Sequence, residues 1–168
     1  VANGAGLAVI AAGPSVDLML IEQLARRRGC QFQWIASGIV SQHDHDHPIV
    51  VATLVDMVRG GCTMQTQTDA QLRRNAGFVL AVRADGTALV AGMLRDPDLF
   101  VSRTAAFAFD EFAERLQTGR PDRISATPAQ AAAAIAAIPA LVEALKHDDE
   151  VVRCMSYEAL VEFQGSAQ

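Results

Sequence analysis

The first half of the chain alternates short apolar runs with amphipathic stretches. Residues 6–12 are apolar and lie between glycines and a proline, which predicts a buried strand. Residues 16–28 carry leucine and isoleucine at helical spacing and predict a helix. Residues 31–40 alternate apolar and polar positions and predict a second strand. Residues 49–58 fit either a buried strand or a short helix, and Pro48 as a first-turn residue favours the helix.

The middle of the chain contains two β-rich runs, residues 77–83 and 87–93. The tripeptide at residues 84–86, Ala-Asp-Gly, joins them, and glycine adopts the positive φ that a tight reversal requires. We therefore expect a β-hairpin. Residues 98–117 predict a long amphipathic helix whose apolar stripe covers the hairpin. The stripe consists of Ala105, Phe109, Phe112 and Leu116.

The C-terminal part of the chain is predicted to be helical. Thr127, Pro128 and Gln130 form a helix start, with threonine as the cap and proline at the first helical position. Pro139 should break or kink the helix that follows, because it has no amide hydrogen and its ring displaces the carbonyl four residues earlier.

Residues 139–146 and 149–163 then predict two helices separated by a polar turn. The pair resembles one helical hairpin of a HEAT-type repeat. No second copy of the pattern is visible upstream, and repeat proteins need several stacked units. A C-terminal helical hairpin packed on the preceding domain is the simpler interpretation.

Together these elements predict an α+β fold. It consists of a hairpin-centred mixed or antiparallel sheet packed by helices, with a helical C-terminal hairpin. Residues 1–118 form the α+β domain, and residues 119–126, which hold glycine, proline and several polar side chains, form a linker. Residues 127–168 form a helical segment that packs on the same domain.

Composition limits the classes of function. Hydrophobic residues make up 51% and charged residues 20% of the 168 residues, which is typical of a folded domain. With 14 basic and 19 acidic side chains the net charge is -5, so a nucleic-acid partner is disfavoured. The longest apolar runs are too short to cross a bilayer, and the first residues lack the basic start of a secretory signal. Three cysteines without a CxxC pair indicate free thiols, so we expect a cytoplasmic protein with no membrane partner.

Three of the four histidines lie within five residues, at His43, His45 and His47. On an extended segment alternate imidazoles point to the same side, so these three side chains are candidate ligands of a divalent metal such as zinc. Such a site would make the protein a small α/β metal-dependent enzyme. The alternative is a solvent-exposed polar loop without a cofactor. The candidates that could complete a metal site are Cys62, Asp56 and Asp69.

One stretch resembles a known family. The sequence Gly-Phe-Val-Leu-Ala-Val at residues 77–82, the Asp-Gly and Leu-Val pairs that follow, and the helix bearing Phe109, Phe112 and Glu114 are similar to the closing half of small type III secretion chaperones. The resemblance covers about residues 77–117. It implies a small, acidic, homodimeric protein that holds an unfolded protein segment against apolar patches.

The leading hypothesis for function is a protein-binding module that is not an enzyme. We expect an apolar face, formed by Phe78, Leu80, Phe107 and Phe109, to contact a protein partner or a second copy in a homodimer. Phe107 lies off the stripe assigned to the core, which leaves it for another surface.

Overall fold

A computed structural model describes residues 48–61, 69–116 and 127–165. It also describes four isolated positions, namely Met19, Arg26, Gln33 and Trp34. The chain divides into two compact units, residues 1–72 and 73–168.

Every regular element in the described ranges is an α-helix. In chain order the helices are α1 (Pro48–Val58), α2 (Asp69–Ala81), α3 (Ala84–Met93), α4 (Leu99–Leu116), α5 (Pro128–Ala144) and α6 (Glu150–Gly165). The predicted α+β fold is therefore wrong, since these ranges contain no strand. The β-hairpin predicted for residues 77–93 is replaced by the end of α2 and the whole of α3.

Burial along α2 shows why this stretch is helical. Leu72, Ala76 and Leu80 are all completely buried, and residues four apart lie on one face of a helix. Val79 beside them is apolar as well, so the helical period is hidden within a continuous apolar run. Runs of this length do not distinguish strand from helix by periodicity.

The Asp-Gly pair that predicted a tight turn instead begins α3. Asp85 lies in the first turn, where its negative charge interacts favourably with the positive end of the helix dipole. Its Oδ1 accepts a hydrogen bond from Arg83 Nε at 3.1 Å. Gly86 lies directly against the backbone of Leu80, where a larger residue has no room.

The predictions for the first 47 residues can be compared with the structure at only a few described positions. Gln33 and Trp34 are helical, so the strand predicted for residues 31–40 is wrong there. Met19, within the helix predicted for residues 16–28, is helical. The strand predicted for residues 6–12 lies outside the described residues, as does the linker predicted for residues 119–126.

Helix α1 confirms the helix predicted for residues 49–58. It ends in a Schellman motif, in which two amides beyond the helix bond to carbonyls of its last turn. Gly60, at a φ of 81°, donates to Met57 O at 3.1 Å, and Gly61 donates to Asp56 O at 2.8 Å. Glycine suits the positive φ because it has no Cβ to clash with the following carbonyl.

Helix α4 confirms the helix predicted for residues 98–117 to within one residue at each end. Ala105, Phe109 and Phe112 are each at most 1% exposed, as the stripe predicts. The stripe does not cover a hairpin, because α4 packs on α3 and α6. The rings of Phe112 and Phe163 meet edge to face with centroids 5.8 Å apart.

Helix α5 begins at the predicted cap. Thr127 Oγ1 accepts a hydrogen bond from the Gln130 amide at 3.2 Å, while Gln130 Oε1 accepts one from the Thr127 amide at 3.0 Å, which completes a capping box. The break predicted at Pro139 is wrong, since α5 continues through it to Ala144. Pro139 is exposed, so its ring projects toward solvent and displaces no core side chain.

Four helices of the second unit form a closed arrangement in which α3 packs on α4, α4 on α6, α6 on α5, and α5 on α3. Near the amino ends of α4 and α6, Arg103 NH2 lies 2.6 Å from Asp149 Oδ2. Near the carboxyl ends of the same helices, the ring of Phe112 contacts the ring of Phe163. These two helices are therefore parallel. At the amino end of α5, Gln130 Nε2 donates to Val82 O at 3.1 Å just before α3 begins. The carboxyl halves of α3 and α5 also adjoin, so this pair is parallel too.

The consecutive pairs α3–α4 and α5–α6 thus stack side by side in the same sense, as helix pairs do in α-solenoid proteins. The expectation that the C-terminal hairpin has no upstream copy is wrong. Residues 94–112 and 145–163, which are 51 positions apart, share six identical residues. The identical pairs are Leu94 and Leu145, Asp98 and Asp149, Val101 and Val152, Ala108 and Ala159, Glu111 and Glu162, and Phe112 and Phe163.

Helices α2, α4 and α6 begin with one shared pattern: aspartate, then an apolar residue after three positions, a small residue after seven and an apolar residue after eleven. All residues that follow the aspartate in the pattern are buried. The three sets are Asp69, Leu72, Ala76 and Leu80; Asp98, Val101, Ala105 and Phe109; and Asp149, Val152, Ser156 and Leu160.

Among the described residues, no helix is both long enough and apolar enough to cross a membrane.

Candidate functional site: the groove between α3 and α5

The four residues predicted to form a binding face lie in different environments. Leu80 and Phe109 are completely buried, so a partner cannot reach their side chains. Phe78 and Phe107 are only partly buried. The predicted face assumed that a strand and a helix pack face to face, whereas in the structure two helices cross. At the crossing, a Cβ on Gly77 would lie 3.1 Å from Thr104 Cγ2.

The accessible phenylalanine rings of this crossing are covered by arginine side chains. The guanidinium carbons lie over the ring centroids at 4.0 Å for Arg74 on Phe107, 4.2 Å for Arg115 on Phe78 and 5.6 Å for Arg73 on Phe100. Contacts of this kind contribute about 0.5–1 kcal/mol each where water reaches them. The two accessible residues of the predicted face therefore already have partners within the chain.

A groove of about 640 Å³ lies between α3 and α5. Its floor is made of small side chains and an exposed proline. The residues that line it are Ala91, Gly92 and Arg95 from α3 and the turn after it, and Ala136, Pro139, Ala140, Val142 and Glu143 from α5.

Small residues give this groove its shape. The short side chains of alanine and glycine on the adjoining faces of two parallel helices leave an open trough between the helices. Gly92 widens the trough, because a Cβ built there would have no other described atom within 4 Å. The groove is therefore open to the backbone or to a side chain of another molecule.

The two charged residues at the rim differ in their surroundings. Glu143 Oε1 lies 3.1 Å from Lys146 Nζ one turn later, so its charge is already balanced. Within the described residues the Arg95 guanidinium forms no ion pair and no hydrogen bond. The groove therefore combines an apolar floor with one uncompensated positive charge.

Sequence reasoning missed this groove because α3 was assigned to a strand and α5 was divided at Pro139. The signal that could have found it is the match between residues 94–112 and 145–163, which implies that the helices preceding them are also equivalent. A second signal is α5 itself, which is apolar around its whole circumference and so has more apolar surface than the core can cover.

A cluster of carboxylates lies between α4 and α6. Partial burial raises the pKa of Asp110 to about 6, and four glutamates add to the shift. In order of their effect these are Glu158, Glu162, Glu114 and Glu111. No three acidic, histidine or cysteine side chains in the described ranges are arranged to hold a metal ion, so the cluster is an electrostatic feature of the helix contact.

Cys154 is a free thiol beside this cluster. Desolvation and then the charge of Glu158, whose Oε1 lies 3.7 Å from the sulfur, raise the pKa of the Cys154 thiol. The thiolate is the reactive form of cysteine, so this environment suppresses nucleophilic reactivity.

The metal site predicted from the histidines stays a prediction. His43, His45, His47 and Cys62 lie outside the described residues. Asp56 occupies the last turn of α1 and Asp69 the first residue of α2.

No family model, curated protein or solved structure matches the chain. This leaves the resemblance to type III secretion chaperones untested, but the hairpin that carried it is replaced by helices. Residues 73–168 contain two helix pairs that pack on each other, and in repeat proteins stacked helix pairs form extended binding surfaces.

Proposed function

We propose that the protein is a protein-binding module and that the groove between α3 and α5 holds an apolar segment of its partner. The observation that carries this proposal is the groove's composition. The trough is lined by alanine, glycine, proline and valine together with Arg95 and Glu143, and it is left open while the helices beneath it are well packed. Apolar concave surfaces with a few charged groups are the usual form of peptide and helix binding sites.

The size of the side chains favours an extended or helical peptide as the occupant. Alanine and glycine allow a partner backbone to approach closely, and Val142 provides an apolar contact at the edge. Burying one aliphatic side chain of a partner contributes about 1.5–3 kcal/mol. Two or three such anchors are therefore enough for measurable affinity.

Charge favours an acidic residue within the bound segment. Arg95 is the uncompensated charge at the rim, and arginine binds carboxylates through two parallel hydrogen bonds. We therefore expect the partner to carry apolar anchors followed by aspartate or glutamate.

A displayed library of random peptides tests the proposal and identifies the sequence that the groove prefers. The intact protein should enrich peptides with two or more large apolar residues and one acidic residue. Gly92→Trp should abolish this enrichment, because an indole at this position fills the trough. A Cβ at this position meets no described atom within 4 Å outside its own stretch of helix, so the side chain starts in open space, and thermal unfolding of Gly92→Trp checks that the fold is retained. Gly92→Ala is the matched control and should retain the selected peptides.

Arg95→Glu tests the charge rule on the same library. It should shift the selected peptides from acidic to basic residues while the apolar anchors persist. The proposal is overturned if the intact protein enriches no motif, or if Gly92→Trp and the intact protein select the same peptides with equal strength.

A further inference from the structure

The arginines that cover Phe100 and Phe107 form a positively charged patch on an acidic protein. Helix α2 carries Arg73 and Arg74 and has no acidic residue after Asp69. The guanidinium carbons of these two arginines lie over the rings of Phe100 and Phe107 on α4. We call these two arginines and two phenylalanines the Arg–Phe patch. The net charge of the whole chain is -5, so this concentration of positive charge is a local feature.

The contact with Phe107 leaves hydrogen-bond donors of Arg74 available. The guanidinium carbon of Arg74 lies 4.0 Å from the centroid of the ring, which therefore covers one side of the cation. Arginine carries five N–H donors, and a contact with one ring cannot use all of them. Among the described residues, the Arg74 side chain takes part in no ion pair and no hydrogen bond. An acceptor from another molecule can bind to these donors.

Phe100 adds apolar surface at one end of the patch. Its side chain is 67% exposed, more than any other large apolar residue of the described ranges. The guanidinium carbon of Arg73 lies 5.6 Å from its ring centroid, which is a looser contact than that of Arg74 on Phe107. Aromatic residues and arginine are enriched where proteins contact one another. The exposed ring can therefore receive an apolar side chain of a partner.

Helices α2 and α6 contact different sides of α4. A Cβ on Gly77 of α2 would contact Ala108, whereas α6 contacts α4 through the ion pair of Arg103 and Asp149. Ala108 and Arg103 are about 140° apart around the helix axis. The exposed acidic residues of α6 therefore lie across α4 from the arginines of α2. These acidic residues are Glu150 and Glu158.

The charges of α4 nearest to the patch already have contacts within the chain. Asp98 accepts a hydrogen bond from the Phe100 amide at 2.8 Å, where its charge compensates the positive end of the helix dipole. Arg103, which lies between the two rings along α4, is paired with Asp149. The positive charge of α2 therefore dominates this end of the surface.

The other half of the same α4 face is acidic. Asp110, Glu111 and Glu114 follow Phe107, and Arg115 is paired with Glu111 at 2.6 Å. A nucleic acid strand carries a negative charge at each phosphate and needs a basic groove along its length, so this half would repel it. A protein segment can place its carboxylates at the patch alone. The charge pattern therefore favours an acidic protein segment over a nucleic acid.

We propose that the Arg–Phe patch binds an acidic segment of a protein partner. One carboxylate binds Arg74, a second is directed to Arg73, and an apolar side chain lies on Phe100. The two phenylalanines are two helical turns apart on α4, which is about 10 Å. An extended chain covers this distance in about three residues. The expected segment therefore holds two carboxylates separated by two residues, with a large apolar residue beside the pair.

Fluorescence anisotropy of labelled synthetic peptides on the whole chain tests the proposal. The probe peptide holds a phenylalanine and two glutamates separated by two serines, and it is made with the phenylalanine before or after the glutamate pair. The control peptides carry glutamine in place of both glutamates. The intact protein should bind one of the glutamate peptides at least about tenfold more tightly than its control, because hydrogen bonds between arginine and carboxylate are charge-assisted. The affinity should fall as salt rises from about 20 to about 200 mM.

Arg74→Glu should weaken binding of the glutamate peptide at least about tenfold, because it replaces attraction by repulsion. Arg74→Gln removes the charge without reversing it and provides a second variant in case Arg74→Glu does not fold. Arg95→Glu is the matched control, since it reverses the charge of another exposed arginine, on the groove side of the chain, and should leave the affinity unchanged.

Equal affinity for the glutamate and glutamine peptides overturns the proposal. So does Arg74→Gln binding as tightly as the intact protein, or a loss in Arg95→Glu as large as that in Arg74→Glu. Tighter binding of a thymidine oligonucleotide of about ten nucleotides than of the glutamate peptides overturns the choice of a protein partner. The result is independent of the groove, because Gly92→Trp should lose the peptides selected by the groove and keep the glutamate peptide.

Discussion

Arg103 and Asp149 join the amino ends of two parallel helices through two hydrogen bonds. Arg103 Nε donates to Asp149 Oδ1 at 3.1 Å, and NH2 donates to Oδ2 at 2.6 Å. The same carboxylate accepts the Val152 amide at 3.2 Å and so caps α6. One side chain therefore both begins a helix and fixes its register against the preceding hairpin.

Asp149→Ala should destabilise the protein by more than the loss of a helix cap alone. Asp98 provides the comparison, because it caps α4 at the equivalent position through Phe100 and forms no ion pair with an arginine of the described ranges. Asp98→Ala should cost about 1 kcal/mol, the usual contribution of an N-cap. Chemical denaturation of both variants measures the difference, and equal losses would show that the ion pair adds nothing.

The pH dependence of the same residue has a defined sign. Hydrogen bonds from Arg103 lower the pKa of Asp149 to about 2, below its unfolded value of about 4. A lowered carboxyl pKa contributes stability above the unfolded pKa and loses it as pH falls through the folded one. The intact protein should therefore lose stability between about pH 4 and about pH 2 more steeply than Asp149→Ala. Urea unfolding at several pH values in this range measures the two slopes, and identical slopes would contradict the prediction.

Two glycines of α3 should respond in opposite directions to alanine. A Cβ on Gly86 would overlap the backbone carbonyl of Leu80, so Gly86→Ala should cost roughly 1–3 kcal/mol. Gly92 has open space around it, so Gly92→Ala should gain up to about 1 kcal/mol from helix propensity. Thermal unfolding of the pair checks the prediction. A hairpin at residues 77–93 would instead make Gly86 the turn residue and Gly92 a strand residue, and Gly92→Ala would have no helical gain.

Ser156→Ala should stabilise the protein. Its hydroxyl is completely buried and has no hydrogen-bond partner among the described residues, and the equivalent position of the preceding hairpin is already Ala105. Removing an unsatisfied buried hydroxyl should gain about 1 kcal/mol. Ser102→Ala is the control, because Ser102 Oγ donates to Leu99 O at 3.3 Å and should show no such gain. A loss of stability in Ser156→Ala, measured by urea unfolding, would contradict the packing described for α6.

Asp110→Asn should stabilise the protein at neutral and alkaline pH and have little effect at about pH 4. The pKa of Asp110 is raised to about 6 by burial and by the glutamates of α4 and α6, so the folded protein holds this proton more tightly than the unfolded chain. Stability contributed by a raised carboxyl pKa falls as pH rises through the folded value. Because Asp110 is only partly buried and water screens these charges, the gain should be on the order of 1 kcal/mol.

Asp148→Asn is the matched control for this measurement, since Asp148 is exposed and lies outside the cluster. Unfolding free energies at about pH 4, 6 and 8 should show the two variants diverging between about pH 4 and about pH 6 and remaining apart at pH 8. Parallel pH profiles for both variants would show that the carboxylate cluster does not affect stability.

Local signals predicted several elements of the fold. The capping box at Thr127, the amphipathic helix containing Phe109 and the helix beginning at Pro48 each depend on interactions within a few residues, and all three are confirmed. Such interactions are present in the sequence whatever packs around them.

The hairpin could not be corrected from the sequence, because its competing signals are equally local. Residues 77–83 are apolar at every position except Gly77 and Arg83, so neither period stands out. The helical conformation of this segment is decided by the residues that pack against each of its faces, above all by the close approach of Gly77 to Thr104 on α4. The repeat was missed for a related reason. Only six positions of residues 94–112 are identical in the second copy, and the helices that precede the two copies, α3 and α5, share only a pattern of buried positions.

The candidate groove depends on tertiary structure even more strongly. Its residues come from two segments more than 40 positions apart, and alanine and glycine carry no chemical signature. The histidine cluster, by contrast, stands out in sequence because it is local.

The stacking of equivalent helices is the central claim, and nuclear Overhauser contacts in the labelled, intact protein test it most directly. Ring protons of Phe112 and Phe163 should show cross-peaks, since their centroids are 5.8 Å apart, and backbone shifts of residues 84–93 should be helical. Extended backbone shifts on both sides of Asp85, together with no contact between the two rings, would contradict the stacked hairpins and the groove they form.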